Sequence, residues 1–435
     1  MYNAYITKIK NLRKHSNADR LQCGECFGNT VIVGLETKEE DIGVYFPTDG
    51  QLGEEFATKN NLVRKKDENG NNVGGYLDPV KRNITAIKLR GEKSDGLFMP
   101  LESLKDFTDI SKLQVGDIIN VLNGVVICQK YIPRRNQGKP RTHTAQGKKK
   151  VIKETYPMFA EHIDTQQLVY NLNEFKEGDL VYLTLKMHGT SQRTAYTIKE
   201  KKKGVSSWLY KICNFLKIKF KPKKMWEYIT GTRRVTLTNF NKTSGYYGSE
   251  EFRKKYHDYF VGKLNKGEEV FYEVLGYVNE DTMIMGEANN KKTNDKEFIK
   301  QYGETTKFTY GCKPNENIIR VYRMTMTNED GYVVEYPTEL VKRRCEEMGV
   351  EFVPILDRFI FTTQDDLMER VNKYCDGVDP VGLTHIREGV VARIDNSTTF
   401  KAFKHKNFYF KVLEGIIKTD AIAPDMEEAQ DIKEG

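Results

Sequence analysis

The sequence predicts a multidomain protein in which a small β-barrel precedes a larger α+β domain. Residues 1–130 contain short runs of β-favouring residues separated by turn signals, with little helical periodicity, which is typical of a barrel. After residue 155, strand and helix patterns mix without a regular β-α-β alternation, which indicates an α+β architecture. A polar, basic segment with two prolines separates the two parts, so residues 131–155 are predicted to be a linker.

Composition limits the class of protein. The 435 residues are 38% hydrophobic and 30% charged, with a formal net charge of +8, which is typical of a soluble globular chain with several domains. The seven cysteines are scattered, which suits a reducing compartment. The N-terminus lacks the apolar core of a signal peptide, and no apolar run approaches the length of a membrane span. We therefore expect a cytoplasmic protein without a membrane partner.

Basic residues are concentrated in two segments. Residues 134–153 contain eight Lys or Arg and no acid, and residues 199–224 contain ten lysines and one glutamate. Such runs are either solvated surfaces or tethers, or they bind a polyanion by releasing its counterions. On the second interpretation the nucleic-acid-binding candidates are Arg134, Arg135, Lys148, Lys149 and Lys150.

In the N-terminal part we predict strands at residues 21–26, 30–35, 41–46, 84–89, 96–100 and 118–129. In the C-terminal part a helix is predicted at 338–348, with Pro337 before it and Gly349 after it. A second helix is predicted at 365–374, capped near Thr363. Residues 199–224 interrupt the domain as a lysine-rich insertion whose interleaved aromatic residues are too frequent for a simple tether.

The segment TLKMHGTSQR, residues 184–193, places Lys186 at the end of a predicted strand, just before His188 and Gly189. Gly189 allows a tight turn or the close approach of a ligand. Taken alone, Lys186 is most simply an exposed lysine at a strand end. A lysine amine also becomes a nucleophile when it is deprotonated, which nearby cations and partial burial favour.

Further segments supply the groups that attack on a nucleotide α-phosphate requires. Lys404 and Lys406 are two residues apart in a strand and share a face, where they could neutralise phosphate charge. Glu273 and Glu388 are carboxylates in otherwise apolar strands and could hold a divalent metal, although Glu273 could instead pair with a buried arginine. Tyr322 could stack on a base or belong to the core. Arg233 and Arg234 could contact ribose or phosphate.

Together these segments resemble a known pattern. Lys186-Met-His-Gly, the arginines at 233–234, Glu273, Tyr322, Glu388-Gly-Val-Val and Lys404-His-Lys406 are similar to motifs I, Ia, III, IIIa, IV and V of the covalent nucleotidyltransferases. That superfamily contains ATP-dependent DNA and RNA ligases and mRNA capping enzymes. The lead-in at 157–167 and the run KMHGTS look more like RNA ligases, although His188 stands where many members carry aspartate. The resemblance implies that residues 156–435 form an α+β adenylyltransferase (ATP-grasp-like) domain.

The resemblance also implies roles for the residues. Lys186 would take AMP from ATP, and the AMP would pass to a 5′-phosphate that a 3′-OH then joins. The implied ATP-binding set is Lys186, Gly189, Arg233, Arg234, Glu273, Tyr322, Glu388, Lys404 and Lys406, of which Lys186, Lys404 and Lys406 are catalytic. The implied ligands of Mn²⁺ or Mg²⁺ are Glu388, Glu273 and His188. Arg193 could share the role of the arginines.

The N-terminal part resembles a second kind of module. Residues 15–34, HSNADRLQCGECFGNTVIVG, and residues 84–101 look like OB-fold tRNA-binding modules. An OB domain before the ligase domain implies a clade of ATP-dependent RNA ligases that seals nicks in which the 3′-OH strand is RNA. The expected function is therefore RNA repair, with nicked or broken RNA and RNA/DNA duplex ends as partners.

Two other functions remain open. The chain could be a capping-type guanylyltransferase, in which case GTP rather than ATP would label it. Alternatively it could be a catalytically inactive RNA- or tRNA-binding protein, which would bind RNA with a steep salt dependence and form no covalent adduct.

Overall fold

A computed structural model of the chain describes residues 2–70, 73–132, 154–159, 162–201, 223–237, 240 and 247–419. Strands dominate it, and most are short. The first fourteen strands are β1 Ala4–Lys8, β2 Lys10–Lys14, β3 Leu21–Cys26, β4 Asn29–Gly34, β5 Ile42–Phe46, β6 Gly50–Leu52, β7 Asn83–Ile84, β8 Ile87–Leu89, β9 Glu92–Ser94, β10 Leu97–Pro100, β11 Ile118–Ile119, β12 Val121–Leu122, β13 Val125–Val126 and β14 Cys128–Lys130.

Fourteen further strands lie in the rest of the described chain, and several of them are longer. They are β15 Glu154–Thr155, β16 Gln166–Gln167, β17 Leu180–Lys186, β18 Thr190–Lys201, β19 Lys223–Gly231, β20 Thr236–Leu237, β21 Glu268–Gly276, β22 Ala288–Asn289, β23 Thr305–Thr306, β24 Asn317–Thr327, β25 Val333–Glu335, β26 Ile355–Ile360, β27 Gly389–Ile394 and β28 Lys401–Lys406. The α-helices in the described ranges are α1 Glu54–Lys59, α2 Glu251–Phe260, α3 Lys296–Tyr302, α4 Thr338–Met348, α5 Gln364–Cys375 and α6 Phe408–Thr419.

The chain divides into two compact units, and both are discontinuous in sequence. The first, which we call the N-terminal unit, comprises the described residues of Met1–Arg135, Glu287–Thr306 and Lys406–Pro424. The second, which we call the central unit, comprises the described residues of Asn136–Gly286 and Lys307–His405. The N-terminal unit therefore incorporates α3 and α6, which come from distant parts of the sequence.

The strands of the N-terminal unit form separate small sheets. The largest has four strands in the order β10-β5-β1-β11, and others follow the orders β2-β3-β4 and β14-β6-β7. Across the described residues none of these sheets closes on itself, so the expectation of a closed barrel is not met. Closure needs a continuous stagger of long, tilted strands, whereas β7, β11, β12 and β13 have only two residues each.

The core of the N-terminal unit lies under the four-stranded sheet. Alternate residues of β1 and β5, including Ala4, Ile6, Val44 and Phe46, point inward and are fully buried. Phe56 of α1 packs against Phe46, with ring centroids 5.4 Å apart. The alternation of side chains along β1 and β5 therefore forms the hydrophobic core under this sheet.

The central unit contains two larger sheets. One has five strands in the order β16-β28-β27-β17-β26, and the other follows β20-β19-β18-β21-β24-β25, with β15 paired to β18. All nine residues of β21 are buried because it lies between β18 and β24 and is covered on both faces. The two sheets with the helices of this unit confirm the α+β expectation.

Two predicted helices are confirmed almost to the residue. Helix α4 spans Thr338–Met348, follows Pro337, and ends at Gly349 in the left-handed conformation with φ of 71°. Helix α5 spans Gln364–Cys375, and the side chain of Thr363 accepts a hydrogen bond from the N–H of Asp366. Helix α4 therefore ends at the glycine that the sequence indicates as its C-cap, and α5 begins after the predicted N-cap.

In the ranges that the structure describes, the helices are too short or too polar to cross a bilayer.

Candidate active site

Lys186 meets a carboxylate because of strand register. It is the last residue of β17, and Gly389 of β27 lies opposite it in the antiparallel ladder. Glu388 directly precedes Gly389, so its side chain reaches the amine, and Lys186 Nζ lies 2.9 Å from Glu388 Oε1. The carboxylate is 2% exposed and the lysine side chain is 19% exposed, so a buried charge is paired with an amine that reaches the surface of a cleft.

One face of the five-stranded sheet forms a wall of this cleft. Thr184 and Lys186 lie two residues apart on β17, and Val391 faces Thr184 from β27. Residues of opposite parity, including Leu183, Val390 and Ala392, instead fill a hydrophobic core on the other face. The period of two in a strand therefore separates cleft-lining residues from core residues.

Gly189 closes the turn after Lys186. A β-carbon there would lie 2.3 Å from the carbonyl oxygen of Val274 and 2.9 Å from Cγ of Glu273. The turn therefore approaches the seven-stranded sheet more closely than any side chain allows. In the same turn, His188 Nδ1 lies 3.9 Å from Glu388 Oε2.

The opposite wall carries Glu273, Ser191 and Tyr322. Ser191 of β18 lies opposite Glu273 of β21 in the ladder, and both line the cleft. Strand β24 has one extra residue at the step between Phe271 and Tyr272, and that residue is Tyr322. A β-bulge redirects a side chain, and the Tyr322 hydroxyl lies 3.0 Å from Ser191 Oγ at the cleft.

The two motif lysines at the end of β28 have different surroundings. Lys404 lines the cleft, and its strand pairs with β16 through Gln167. Lys406 belongs to the N-terminal unit, where its Nζ lies 2.8 and 2.9 Å from the two carboxylate oxygens of Glu414 on α6. Of these two lysines, Lys404 is therefore the one on the cleft wall.

The three candidate arginines also differ in whether they lie at the cleft. Arg233 lines the cleft and donates from Nε to Asp164 Oδ1 at 2.7 Å, whereas Arg234 is more exposed and its Nη2 lies 3.5 Å from Asp164 Oδ2. Arg193 is buried, its Nη1 lies 3.0 Å from Glu269 Oε1, and its guanidinium stacks 3.7 Å from the Phe159 ring centroid. The contacts of Arg193 are those of a core arginine, and Arg233 is the arginine at the cleft.

The cleft contains about 880 Å³ of space, open solvent included, and all of its lining belongs to the central unit. Its lining is His162, Thr165, Thr184, Leu185, Lys186, Met187, Ser191, Arg233, Glu273, Tyr322, Thr338, Phe352, Val353, Val391, Arg393, Phe400, Ala402 and Lys404.

Several titratable groups near the cleft have shifted pKa values. The imidazole of His162 and the guanidinium of Arg233 hold the pKa of the Asp164 carboxyl well below its usual range, although partial burial opposes the shift. Burial, reinforced by the carboxylates of Asp379 and Glu388, raises the pKa of Tyr310 well above its usual value. Burial lowers the pKa of the Arg393 guanidinium. Of these groups, Arg393 lines the cleft, and Asp164 contacts the cleft residues His162 and Arg233.

A divalent cation would have a limited protein ligand set. In the described part of the chain, no group of three or more His, Cys, Asp or Glu side chains is arranged to hold a metal. The donors at the cleft are the carboxylates of Glu388 and Glu273, with His188 beside Glu388. This set fits Mg²⁺ or Mn²⁺ held by one or two carboxylates together with water and substrate phosphates, and not a closed all-protein cage.

Some sequence predictions fall outside the described residues. Most of the linker at 131–155 and most of the insertion at 199–224 lie there. So do the predicted nucleic-acid contacts Arg134, Arg135, Lys148, Lys149 and Lys150.

The structure adds cleft residues that sequence reasoning missed. His162 and Thr165 reach the cleft because β16 pairs in parallel with β28, and the only sequence signal was the lead-in at 157–167. Arg393 lies at the far end of the cleft from Lys186, four residues along β27 from Gly389. Val391 and Arg393 are two residues apart in a strand and therefore lie on the same face, so the sequence pattern could have indicated Arg393 as a cleft residue.

Comparison with known proteins finds similarity in structure and none in sequence families or curated proteins. No protein-family model matches the sequence, and no curated protein matches it. Solved structures of Naegleria gruberi RNA ligase are similar. A lysine-to-alanine mutant with ATP and Mn has 16% identity and a TM-score of 0.56, covering 94% of this chain and 98% of that chain.

Two further structures of that ligase agree. A lysine-to-methionine mutant with AMP and Mn has 16% identity and a TM-score of 0.56, and the ligase with pyrophosphate has 17% identity and a TM-score of 0.56. Each covers 94% of this chain and 97% of that chain. At this identity the likeness establishes the fold, and the chain has the fold of an RNA ligase.

Proposed function

We propose that the chain is an ATP-dependent RNA ligase that forms a covalent lysyl-AMP intermediate on Lys186. The observation that carries the proposal is the amine of Lys186 beside the buried Glu388, in a cleft whose walls also present Lys404, Glu273 and Tyr322. The ligases of the same fold were solved with ATP, AMP, Mn and pyrophosphate, which supports a nucleotide in this cleft.

In the first step Lys186 Nζ forms a bond to the α-phosphorus of ATP, and the bond from that phosphorus to the β-phosphate bridging oxygen breaks. Pyrophosphate leaves, and the nitrogen releases two protons to solvent as the ammonium becomes a phosphoramidate N–H. Lys404 on the cleft wall neutralises charge that develops on the α-phosphate oxygens. The Glu388 carboxylate, 2.9 Å from the amine, holds it at the cleft until the nucleotide binds.

The remaining cleft residues hold the nucleotide. Tyr322, redirected by its bulge, provides an aromatic face for the base, and Glu273 accepts from the ribose hydroxyls. Arg233 contributes positive charge beside Asp164. Glu388 and Glu273 would hold Mn²⁺ or Mg²⁺, and the bound cation supplies charge that neutralises phosphate oxygens and disfavours the protonated amine.

In the later steps AMP passes to a 5′-phosphate, and a 3′-OH displaces it to form a phosphodiester. We infer a nick with an RNA 3′-OH strand as the substrate, and therefore a role in RNA repair. The basic residues Arg134, Arg135, Lys148, Lys149 and Lys150 are the proposed contacts to nucleic-acid phosphates. The division into a nucleic-acid-binding part at 1–130, a linker and a ligase domain at 156–435 remains part of this proposal.

The test is covalent labelling. Purified protein is incubated with α-labelled ATP and Mn²⁺, and the label on the protein is measured after denaturing electrophoresis. We expect a label that pyrophosphate removes and that Lys186→Ala abolishes, because no other amine replaces the nucleophile. Sealing of nicked RNA and DNA duplexes then identifies the substrate.

The matched control is Lys199→Ala. Lys199 Nζ also lies 2.9 Å from a carboxylate, Glu227 Oε2, and its side chain is 13% exposed, but it lies outside the cleft lining. This variant should keep the wild-type label. A label with GTP in place of ATP would assign the chain to the capping enzymes. Salt-sensitive RNA binding with no label from either nucleotide would identify an inactive binding protein.

A further inference from the structure

The turn that follows Lys186 is held from outside the two sheets. Lys186 is fixed by its ladder partner Gly389, and Ser191 is fixed by its partner Glu273. The residues between β17 and β18 have no partner in either ladder. Within this turn the N–H of His188 donates to the hydroxyl of Tyr310 at 2.6 Å, and the His188 imidazole lies beside Glu388.

Tyr310 is itself rigidly placed. It is 4% exposed and adopts a left-handed backbone conformation with φ of 53°, which is uncommon for a bulky residue. Its ring meets the imidazole of His385 edge-on, with centroids 4.5 Å apart. Phe308 packs edge-on against both His188 and His385, at 4.7 and 5.1 Å.

The segment that packs on Tyr310 is the one that leads to Glu388. A β-carbon on Gly382 would lie 2.1 Å from the carbonyl carbon of Tyr310, so the two backbones are in close contact. Asp379 closes this segment by accepting from the N–H groups of Val381 and Gly382 at 3.1 and 2.8 Å. The N–H of Asp379 donates to the carbonyl of His385 at 2.8 Å, three residues before Glu388.

Tyr310 therefore contacts both halves of the Lys186–Glu388 pair through separate segments. Its hydroxyl holds the turn that begins at Lys186, and its backbone and ring support the segment that ends at Glu388. A group in this place controls the distance and angle between the amine and the carboxylate, although it touches neither the nucleotide nor the reacting atoms. Misplacing a catalytic group by about 1 Å is enough to cost about 100-fold in rate.

We propose that Tyr310 is a positioning residue for the nucleophile, acting through the hydrogen bond from the His188 N–H to its hydroxyl. The proposal rests on the proposed function of Lys186. It predicts that the hydroxyl affects the rate of covalent transfer, and that it has little effect on the binding of ATP, because Tyr310 does not line the cleft.

The test is Tyr310→Phe, which removes the accepting oxygen and keeps the ring. Single-turnover labelling with α-labelled ATP and Mn²⁺ gives the maximal rate and the ATP concentration at half-saturation. We expect the maximal rate to fall about tenfold, equivalent to about 1.4 kcal/mol, with half-saturation unchanged within about twofold. A wild-type rate in Tyr310→Phe overturns the proposal.

Tyr256→Phe is the matched control. Tyr256 is 6% exposed, and its hydroxyl donates to the carbonyl oxygen of Asn317 at 2.9 Å, away from the cleft lining. It should lose thermal stability as Tyr310→Phe does but keep its labelling rate. If both variants slow in proportion to their loss of melting temperature, Tyr310 has only a structural role and the proposal is wrong.

A measurement on the wild-type protein covers the case in which Tyr310→Phe does not fold. Hydrogen–deuterium exchange of the peptide spanning residues 187–189 should be as slow as that of the flanking strands β17 and β18. Fast exchange there overturns the proposal without any variant. Absence of label in the wild-type protein refutes the proposed function, and the exchange of the His188 N–H then decides separately whether Tyr310 holds the turn.

Discussion

Two positions near the cleft have a backbone geometry that few other residues or conformations could satisfy. Gly189 lies where a β-carbon would overlap the Val274 carbonyl, and Tyr322 lies at the one extra position in β24. The first position requires only that a side chain be absent, and the second requires only a β-bulge. Each nevertheless determines where a functional group at the cleft points. The side chains of the cleft are therefore more constrained by backbone geometry than by their own chemistry.

The contacts of a single residue, Arg393, lead to a testable prediction. It is 7% exposed, its Nε lies 3.2 Å from Asp395 Oδ1, and its Nη2 donates to the carbonyl of Tyr336 at 2.5 Å. Its Nη1 is buried with no hydrogen-bond partner among the described residues. Because Arg393 lines the cleft, we infer that this donor meets one acceptor of the bound nucleotide.

We therefore expect Arg393→Met to raise the half-saturating ATP concentration in the labelling assay about tenfold, because one charged hydrogen bond is lost. Arg323→Met is the control. Arg323 is also buried, pairs with Glu335 and lies over Phe400, but it does not line the cleft. Equal changes in both variants would contradict a role for Arg393 in nucleotide binding.

At the scale of elements, buried charge anchors the helices of the N-terminal unit. Asp295 caps α3 by accepting from the N–H groups of Glu297 and Phe298. Its carboxylate also accepts from Lys88 Nζ and from the Tyr409 hydroxyl of α6, each at 2.6 Å. One carboxylate thus joins three segments that are far apart in sequence, and each contributes a donor.

This arrangement predicts a pH dependence. Burial alone would raise the pKa of Asp295, but hydrogen bonds from Lys88, Tyr409 and Phe298 outweigh it and hold the pKa at about 2, below the ordinary 3.8. Because the folded pKa is lowered, the stabilisation is present above pH 4 and is lost as the pH falls toward 2.

Urea unfolding at several pH values should show a loss of about 2 kcal/mol over that interval that Asp295→Asn lacks. Asp109→Asn serves as the control, since Asp109 is 54% exposed and its loss should leave the pH dependence nearly unchanged. An Asp295→Asn protein with the full wild-type pH dependence would exclude this carboxylate as its source.

At the scale of the whole molecule, the N-terminal unit is assembled from three separate parts of the chain. Lys411 of α6 lies 2.5 Å from Asp95 Oδ2, and their side chains are 15% and 8% exposed. Lys411 also donates to Asn29 Oδ1 at 3.4 Å. Residues near both ends of the sequence therefore share one compact unit.

A double-mutant cycle tests how strongly these parts are joined. With Asp95→Asn and Lys411→Met, we expect a coupling free energy of about 1.5–3 kcal/mol for unfolding of the full chain, because the pair is largely removed from water. The exposed pair Lys254 and Asp258 should give less than about 0.5 kcal/mol. Coupling as small as in the exposed pair would mean that other contacts hold α6.

Prediction from sequence succeeded where local rules act alone. The ends of α4 follow from Pro337 and Gly349, and the strand before Lys186 follows from its alternation. It missed residues where distant segments meet, as for His162, and it gave no sign of the β-bulge at Tyr322. The closed barrel failed for a related reason, since the lengths of β7 and β11 depend on their partners.

The sequence by itself determined the bounds of α4 and α5, the strand that ends at Lys186, and a set of candidate residues for nucleotidyl transfer. Those properties depend on periodicity, capping and side-chain type, which are local. Only the tertiary structure decided that Lys186 meets Glu388, that Lys406 meets Glu414, and that Arg193 meets Glu269. Such pairs depend on strand register and on contacts between distant segments, and register is set by the packing of whole faces and not by any one residue.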